Sequence, residues 1–434
     1  MNNNLPPKWS WVKLGDVVER MSNGCSSPQY QGDGDFPITR IETISFGEVD
    51  LDRVRYVKNI SQDDITKYSL HTNDILFSHI NSDSHLGKTG LFKLKDKTVI
   101  HGINLLLIRA SARIHSVFLN YLFNFYRVKG EFLKIVQHAV NQSSINQKKL
   151  KNVDIPLPPL PEQKKIVEKI EELFSGLDNG VASLKKGKEQ LRLYRQSVLA
   201  SAFSGRLTPS HPEFISGSEK LKQVQLDNNG LPDGWKWVKL VEVIDSMQYG
   251  TSDKATSSDK GIPVLRMGNI QDGKLDYSKL KYFDKKYEDL NKYLLEDGDL
   301  LFNRTNSAEL VGKSALYKKY HPKSIFASYL IRVKVNKSIY SSEFLNYYIN
   351  SSFGRDFIKS VVSQNVGQAN VNGTKLRNMN VPLVRLIQQT QIVEEIEKRF
   401  SEADNLEKAI DDSLEKSEAL RQSILKKAFE GQLV

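Results

Sequence analysis

Apolar residues recur every seven positions along two long stretches of the chain that contain no proline. In the first stretch these positions are Ile170, Leu177, Leu184, Leu191 and Val198, and the matching positions in the second are Ile396, Ala403, Ile410, Ser417 and Ile424, which are apolar except for the serine. A sustained seven-residue apolar repeat predicts a long helix that packs against another helix. Because one chain holds two such stretches, each predicted helix can supply the partner of the other.

Ahead of each helical stretch, the apolar residues fall in short runs between Gly, Asn and Asp. Runs such as 36–41, 74–77 and 103–109 are typical of strands, whereas aromatic-rich runs near 116–138 and 341–362 predict amphipathic helices. We therefore predict α+β domains over residues 1–155 and 232–381. Proline breaks precede the long helices, which are predicted within 156–206 and 382–434, and the polar residues 207–231 predict a linker.

The two halves of the chain repeat one another. The segment from Trp9 to Leu14 returns 226 residues later as Trp235 to Leu240, and Arg-Gln-Ser-Val-Leu at 195–199 returns as Arg-Gln-Ser-Ile-Leu at 421–425. Solenoid repeats run at about 20–50 residues, so this much longer period indicates a duplicated pair of domain and helix. The protein is therefore expected to carry two related functional sites.

Composition narrows the classes of partner. The net charge is +11, yet Glu394 to Glu430 holds eleven acidic and seven basic residues, so the positive excess lies outside the last predicted helix. This positive charge suits a nucleic-acid partner, because each Lys or Arg that contacts a phosphate releases a counterion. The alternative is that the charge serves only to keep the protein soluble. The single cysteine, Cys25, excludes an internal disulfide, and with no signal sequence or membrane-length apolar run we expect a cytoplasmic protein.

Two polar loops in each half carry side chains suited to reading DNA. The first loop, 78–88, and its counterpart, 303–313, contain the candidates His79, Asn81 and Lys88, and Arg304, Asn306 and Lys313. The second, near 141–149 and 364–375, contains the candidates Gln142, Ser143, Asn146 and Lys148, and Gln368, Asn370, Asn372 and Lys375. Amides and arginines match base edges in the major groove, and lysines contact phosphates. A solvated turn is the alternative for either loop.

Two strand arginines, Arg40 and Arg266, are further candidates for DNA binding, with a structural ion pair as the alternative. The segments Gly-Lys-Thr at 87–89 and Gly-Lys-Ser at 312–314 resemble part of a phosphate-binding loop, but serine stands where that loop needs its first glycine. The residues that follow predict a strand rather than the required helix. A phosphate-binding loop is therefore disfavoured.

Motifs for catalysis are missing from the sequence. It lacks the Asn/Asp-Pro-Pro-aromatic motif of methyltransferases, its eight histidines show no metal-ligand spacing, and no nuclease carboxylate cluster emerges. We therefore expect a protein without catalytic residues, metal or cofactor of its own.

The order of these motifs resembles the specificity subunit of Type I restriction-modification enzymes. The motifs are Trp-x-x-x-x-Leu at the start of a domain, Gly-Asp-Leu-Leu-Phe-Asn-Arg-Thr at 298–305, a Gly-Lys turn, and Pro-Leu-Pro-Pro-Leu-Pro-Glu-Gln at 156–163 before a long helix. The second half keeps Pro382 and Gln389 of the last motif but lacks its other prolines. The resemblance covers nearly the whole chain in both halves.

This resemblance implies two target-recognition domains, each reading one half of a bipartite, asymmetric site in double-stranded DNA. It implies an internal pseudo-twofold repeat, with the two helices packed as an antiparallel coiled coil that holds the domains apart. Two modification (methyltransferase) subunits that bind S-adenosylmethionine would dock on the helices, and restriction subunits would join them. A duplicated coiled-coil adaptor that binds protein partners is the alternative, and a self-sufficient methyltransferase or nuclease is disfavoured by its missing motifs.

Overall fold

The computed structural model describes residues 5–434 except 46, 84, 140–141, 208–230, 233, 258–260, 284–286, 308–309 and 366–367. The predicted linker, 207–231, therefore lies outside the described residues except for its two ends. The chain divides into two compact units, which we call the first unit (Met1–Leu184 with Asp411–Val434) and the second unit (Lys185–Ile410). No helix in the described part of the chain is both long enough and apolar enough to span a membrane.

The first half forms short strands and three short helices before one long helix. Its strands are β1 (Ser10–Lys13), β2 (Val18–Asn23), β3 (Phe36–Ile38), β4 (Ile44–Ser45), β5 (Glu48–Val49), β6 (Arg55–Val57), β7 (Ile75–Ser78), β8 (Ile80–Asn81), β9 (Thr89–Leu91), β10 (Leu105–Ala110), β11 (Gln137–Ala139), β12 (Gln142–Ser144) and β13 (Asp154–Leu157). Its helices are α1 (Gln62–Tyr68), α2 (Ser116–Val128), α3 (Gln147–Lys151) and α4 (Leu160–Phe203).

The main sheet of the first half has the strand order β2-β10-β7-β9-β5-β4. Strand β7 lies inside this sheet, and all four of its residues are buried, which fits its continuous apolar run Ile-Leu-Phe. The rings of Phe123 and Phe132 pack edge-on against Phe77 of this strand. Strands β1 and β13 pair antiparallel, so the two ends of the α+β segment meet where α4 begins.

The second half repeats this arrangement. Its strands are β14 (Lys236–Lys239), β15 (Ile244–Tyr249), β16 (Ile262–Leu265), β17 (Ile270–Gln271), β18 (Lys274–Leu275), β19 (Lys281–Phe283), β20 (Leu300–Asn303), β21 (Thr305–Asn306), β22 (Ser314–Leu316), β23 (Ile325–Phe326), β24 (Leu330–Val335), β25 (Ser363–Asn365), β26 (Gln368–Asn370) and β27 (Asn380–Leu383). Its helices are α5 (Ser342–Asn350), α6 (Ser352–Val361), α7 (Gly373–Arg377) and α8 (Leu386–Phe429). The main sheet is β15-β24-β20-β22, and β14 pairs with β27.

The two long helices have the same length, 44 residues, and start at equivalent positions. At the start of α4, the buried Gln163 accepts a hydrogen bond from the His115 amide (2.7 Å) and donates to the Pro158 carbonyl (2.8 Å). Gln389 makes the equivalent bonds to the Ser341 amide and the Val384 carbonyl, each 2.8 Å. Helix α8 starts at the equivalent residue, although its sequence lacks the extra prolines. The feature that the two helix starts share is therefore the glutamine and not the proline run.

Each long helix ends in a glycine turn and buries its last aromatic ring. Gly205 and Gly431 adopt positive φ angles of 78° and 70°, the left-handed conformation that terminates helices. Phe203 at the end of α4 packs on Phe344 in the second unit (5.1 Å between ring centroids), and Phe429 at the end of α8 packs on Phe118 in the first unit (5.3 Å). Each helix therefore begins beside the α+β segment of its own half and ends in the core of the other unit.

The seven-residue stripe follows the less exposed side of both helices. Ile170, Val198, Ile396, Ala403 and Ile424 are buried, and the other positions of the stripe are partly buried. In the second unit, Arg195 pairs with Asp404 (2.7 Å) and Lys188 pairs with Glu407 (3.4 Å), so residue numbers rise along α4 as they fall along α8. In the first unit, Arg421 pairs with Asp178 and lies over the Phe174 ring.

Two aromatic runs differ from the single helices predicted for them. In the run 116–138, α2 ends at Val128 and Gly130 adopts a φ of 72°, after which a 3-10 turn leads into β11. In the run 341–362, Ser351 leaves the helix and its hydroxyl accepts a hydrogen bond from the Gly354 amide, which starts a second helix. Apolar periodicity alone did not show these interruptions, because the apolar pattern continues across both.

Candidate nucleic-acid interface

The two predicted loops of each half meet in one small three-stranded sheet. In the first half the order is β11-β12-β8, and Asn81 lies opposite Ser143. In the second half the order is β21-β26-β25, and Thr305 lies opposite Asn370. We call these the first and second small sheets. The predicted second loop is thus a hairpin strand followed by a short helix, rather than a loop throughout.

One residue in each half joins the main sheet to the small sheet. His79 lies between β7 and β8, and its carbonyl accepts a hydrogen bond from the Ile145 amide (2.9 Å). Arg304 lies between β20 and β21, and its carbonyl accepts the equivalent bond from the Val371 amide (2.9 Å). The hydrogen bond to the junction carbonyl is therefore the same in both halves, while the Arg304 amide also donates to the Tyr329 carbonyl (3.0 Å).

The two junction side chains have different environments. His79 is 8% exposed, and burial lowers its pKa to about 4, so the ring is neutral at pH 7. Among the described residues its Nδ1 atom has no hydrogen-bond partner. Arg304 is partly exposed, and its guanidinium lies 4.9 Å from the centroid of the Tyr249 ring. The first junction is thus neutral and the second is cationic.

Several candidate side chains have a structural role at the start of α3 and α7. The side-chain oxygens of Asn146 and Asn372 accept hydrogen bonds from the amides of Lys149 (2.8 Å) and Lys375 (2.9 Å), which caps these helices. The ammonium group of Lys375 donates to the Val361 carbonyl (2.6 Å) and to Ser363. These oxygens and this ammonium group are therefore already engaged by the protein itself.

Other candidates are held within the small sheets. The side-chain oxygens of Asn81 and Asn306 accept hydrogen bonds from the amides that follow them, at 2.8 Å and 2.9 Å. The amide group of Asn370 donates to the Thr305 hydroxyl (2.8 Å). Ser143 is buried, and its hydroxyl lies 3.1 Å from His138 Nδ1. Gln142 and Gln368 lie on β12 and β26, and their side chains lie outside the described part of the structure.

The candidate lysines lie beside these sheets. The amides of Ser78 and Asn303 donate to the carbonyls of Lys88 and Lys313, each at 2.8 Å, so both lysines lie next to a junction. Partial burial and, after it, the positive charge of Arg127 lower the pKa of Lys88. Lys148 is exposed on α3.

The two candidate strand arginines lie elsewhere. Arg40 follows β3 and forms an ion pair with Glu42 (3.0 Å), the structural alternative considered for it. Arg266 follows β16, and its buried Nε atom has no partner among the described residues. Within the described part of the chain, no strand pairing or hydrogen bond joins either arginine to a small sheet.

Four further residues, which end strands of the main sheets or begin the short helices after the small sheets, were not among the candidates predicted from the sequence. Asn23 and Tyr249 end equivalent strands, β2 and β15, and Gln147 and Gly373 begin the equivalent helices α3 and α7. The Gln147 amide group donates to Asn23 (3.1 Å), whereas the Gly373 backbone amide donates to the Tyr249 hydroxyl (2.8 Å). All four differ between halves whose surroundings repeat, which is the signal that could have identified them.

The Gly-Lys turns at 87–88 and 312–313 lead into strands β9 and β22, as predicted, and not into the helix of a phosphate-binding loop. Within the described ranges, no group of three or more His, Cys, Asp or Glu side chains is arranged to hold a metal ion.

Comparison with known proteins gives consistent matches. The family described as the Type I restriction modification DNA specificity domain matches residues 6–189 and again 232–416. The MjaX type I restriction enzyme specificity subunit of Methanocaldococcus jannaschii is 30% identical over 419 residues, which is 95% of this chain and 88% of that protein. The EcoKI specificity subunit of Escherichia coli K12 is 30% identical over 297 residues, 68% of this chain and 61% of that subunit.

Solved structures show the same fold. A chain from a structural study of assembly and conformational transition in the type I restriction-modification system matches with a TM-score of 0.71, at 20% identity and 99% coverage of both chains. The HsdS subunit of Thermoanaerobacter tengcongensis matches with a TM-score of 0.50, also at 20% identity and 99% coverage of both chains.

Proposed function

The chain belongs to the family of Type I restriction-modification DNA specificity subunits, and on that premise we propose that its two small sheets read the two halves of one bipartite DNA site. The observation that supports this proposal is the pair of junctions, where one backbone arrangement carries His79 in the first half and Arg304 in the second. Two readers that share a scaffold but differ at the junction, where one side chain is buried and neutral and the other is partly exposed and cationic, are suited to an asymmetric site.

The charges and donors at each small sheet fit DNA. Lys88 and Lys313 lie beside the junctions, where they can contact phosphates, and Lys148 is exposed on α3. The side-chain oxygens of Asn81 and Asn306 bond to the backbone, and each amide group still has a donor, although that of Asn81 also donates to the Ser78 hydroxyl (3.3 Å). Phosphate contacts would set the position of each sheet on the duplex, and the polar side chains would discriminate bases.

We further propose that α4 and α8 form a pseudo-twofold spacer on which two modification subunits dock. Asp178 with Arg421 and Asp404 with Arg195 are equivalent ion pairs under the 226-residue repeat, which supports such symmetry. Tyr194 and Leu420, also equivalent, are 39% and 51% exposed. Two copies of one partner require two similar apolar contacts, and these side chains supply them.

In this proposal the chain itself carries no catalytic step. Its residues hold the duplex in register, and the adenine to be methylated would be extruded into a modification subunit, since enzymes that modify bases draw them out of the stack. S-adenosylmethionine would bind in that partner, and restriction subunits would join the assembled complex.

The test is a selection of randomised duplexes by the full chain assembled with its modification subunits, at several salt concentrations. Recovery of two conserved half-sites separated by a fixed spacer is expected, with binding that weakens steeply as salt rises. A flat selection with salt-insensitive binding would overturn the proposal and favour a protein-binding adaptor.

A further inference from the structure

The side chain of Arg304 is held by a set of contacts that occurs in the second half alone among the described residues. Its guanidinium lies over the Tyr249 ring, at 4.9 Å from the centroid. One terminal nitrogen, Nη1, donates to the Ser328 carbonyl (3.3 Å), and the Nε atom is buried. The side chain is therefore fixed along its stem, and its terminal edge is the part that remains available to a ligand.

Tyr249 is fixed in turn by Gly373. The Tyr249 hydroxyl accepts a hydrogen bond from the Gly373 amide (2.8 Å) at the start of α7. A Cβ atom at position 373 would lie 2.9 Å from that hydroxyl oxygen, closer than real Cβ contacts allow. A side chain at 373 would therefore displace the tyrosine hydroxyl, so the glycine leaves room for this hydrogen bond, and the tyrosine places the arginine.

The first half has a different residue at each of these three positions. His79 replaces the arginine, Asn23 replaces the tyrosine, and Gln147 replaces the glycine. There the Gln147 side chain donates to Asn23 (3.1 Å), and His79 is buried and neutral. The three positions differ as a set, although the backbone hydrogen bonds to the carbonyls of His79 and Arg304 repeat.

The free donors of Arg304 fit one base better than the others. A guanidinium has five N–H donors, of which one of Nη1 is used by Ser328 and that of Nε is buried, so the terminal edge retains three. Guanine presents two adjacent acceptors, O6 and N7, in the major groove, and arginine bonds to both at once. Adenine replaces O6 by a donor, and thymine presents one acceptor beside a methyl group.

We propose that Arg304 reads a guanine in the second half-site and that Tyr249 and Gly373 are the residues that position it. This inference rests on the proposed function, because it assigns a base to one of the two readers. A side chain already held in one conformation loses less rotamer entropy on binding, so the positioning residues raise the discrimination without touching the base.

The experiment measures the relative affinity of the full chain, assembled with its modification subunits, for duplexes carrying each of the four base pairs at every position of the second half-site. The native protein should prefer guanine at one position. Arg304→Ala should reduce that preference by about 5- to 150-fold. Arg304→Lys should also lose most of the preference, because an ammonium group cannot make the bidentate base contact of a guanidinium.

Variants of the positioning residues separate placement from folding. Tyr249→Phe keeps the ring under the guanidinium but loses the hydrogen bond from Gly373, so it should reduce the preference by about 2-fold, whereas Tyr249→Asn loses both contacts and should reduce it by up to about 12-fold. The matched control is the double variant Tyr249→Asn/Gly373→Gln, which introduces into the second half the asparagine and glutamine that the first half has at the equivalent positions. It should fold with an unchanged unfolding midpoint and lose the preference as Tyr249→Asn does. The first half-site should be unchanged in every variant.

The outcomes distinguish this inference from the function on which it rests. A bipartite motif whose second half is insensitive to Arg304→Ala, or whose affected position is not guanine, would overturn the inference alone. Equal weakening for all four base pairs would assign Arg304 to a phosphate and also overturn it. Absence of any bipartite motif for the native complex would instead contradict the proposed function.

Discussion

The two halves of the chain are alike in what holds them together and unlike in what they present. The bonds of Gln163 at the start of α4 and of Gln389 at the start of α8 match atom for atom, and the carbonyls of His79 and Arg304 accept equivalent bonds. The side chains at those junctions differ, as do their neighbours Asn23 and Tyr249. The repeat therefore separates residues that build the fold from residues free to set specificity.

The largest expected effect concerns the buried glutamine at the start of each long helix. It tests whether this shared interaction stabilises both halves equally. Gln389→Leu leaves the Ser341 amide and the carbonyls of Ile339 and Val384 without a partner, and Gln163→Leu does the same in the first half. Each should lower the free energy of unfolding by about 3 kcal/mol in denaturant titration. Gln190→Leu, at an exposed position of α4, is the control and should change it by less than about 0.5 kcal/mol. Clearly unequal losses for the two glutamines would break the comparison.

The second prediction concerns acid sensitivity of the first half. The pKa of His79 is about 4 in the folded chain and 6.5 in the unfolded chain, so between these values the unfolded state binds more protons. Stability should therefore fall as pH drops from 6.5 towards 4, by up to roughly 3 kcal/mol. The second junction carries Arg304 in place of a histidine, so it contributes no such loss.

The measurement is the free energy of unfolding against pH for the native chain and for His79→Gln. Burial also lowers the pKa values of His101 and His115, which therefore change stability in the same direction, so the difference between the two curves isolates His79. Parallel curves would show that His79 is not held neutral by the fold.

A third prediction compares the junctions as readers. Replacing Arg304 by Gln should cost about 1–3 kcal/mol of binding at the second half-site. Replacing His79 by Gln should change binding at the first half-site by less than about 0.5 kcal/mol at pH 7.5, because the buried ring offers little surface to DNA. Equal losses, measured on duplexes altered in one half-site at a time, would show that the two junctions read DNA alike.

The smallest expected effect lies in the helices. Arg195 reaches both Asp404 (2.7 Å) and Glu407 (2.8 Å), whereas Arg421 pairs with Asp178, which is 62% exposed. Double-mutant cycles should give about 0.5–1 kcal/mol for Arg195 with Asp404 and about 0.3 kcal/mol for Arg421 with Asp178. A larger coupling in the second pair would reverse the expected difference.

The sequence by itself determined the repeat, the two long helices and the family. Heptad spacing and the absence of proline are local properties, and the helix of the second half could be placed by its 226-residue offset from the first. The polar segments near 79–81 and 142–146 were also identifiable, because amides and lysines stand out in a strand-rich region.

Only the tertiary structure decided which of those polar residues are available to a ligand. Asn146, Asn372 and Lys375 are of residue types that commonly contact DNA. The two asparagines cap helices, however, and the lysine donates to a backbone carbonyl. Strand pairing brought the separate loops into one small sheet, and each long helix proved to end in the core of the other unit. Burial and pairing depend on residues far apart in the chain, so the same side chain, such as an asparagine, gives the same sequence signal whether it caps a helix or faces solvent.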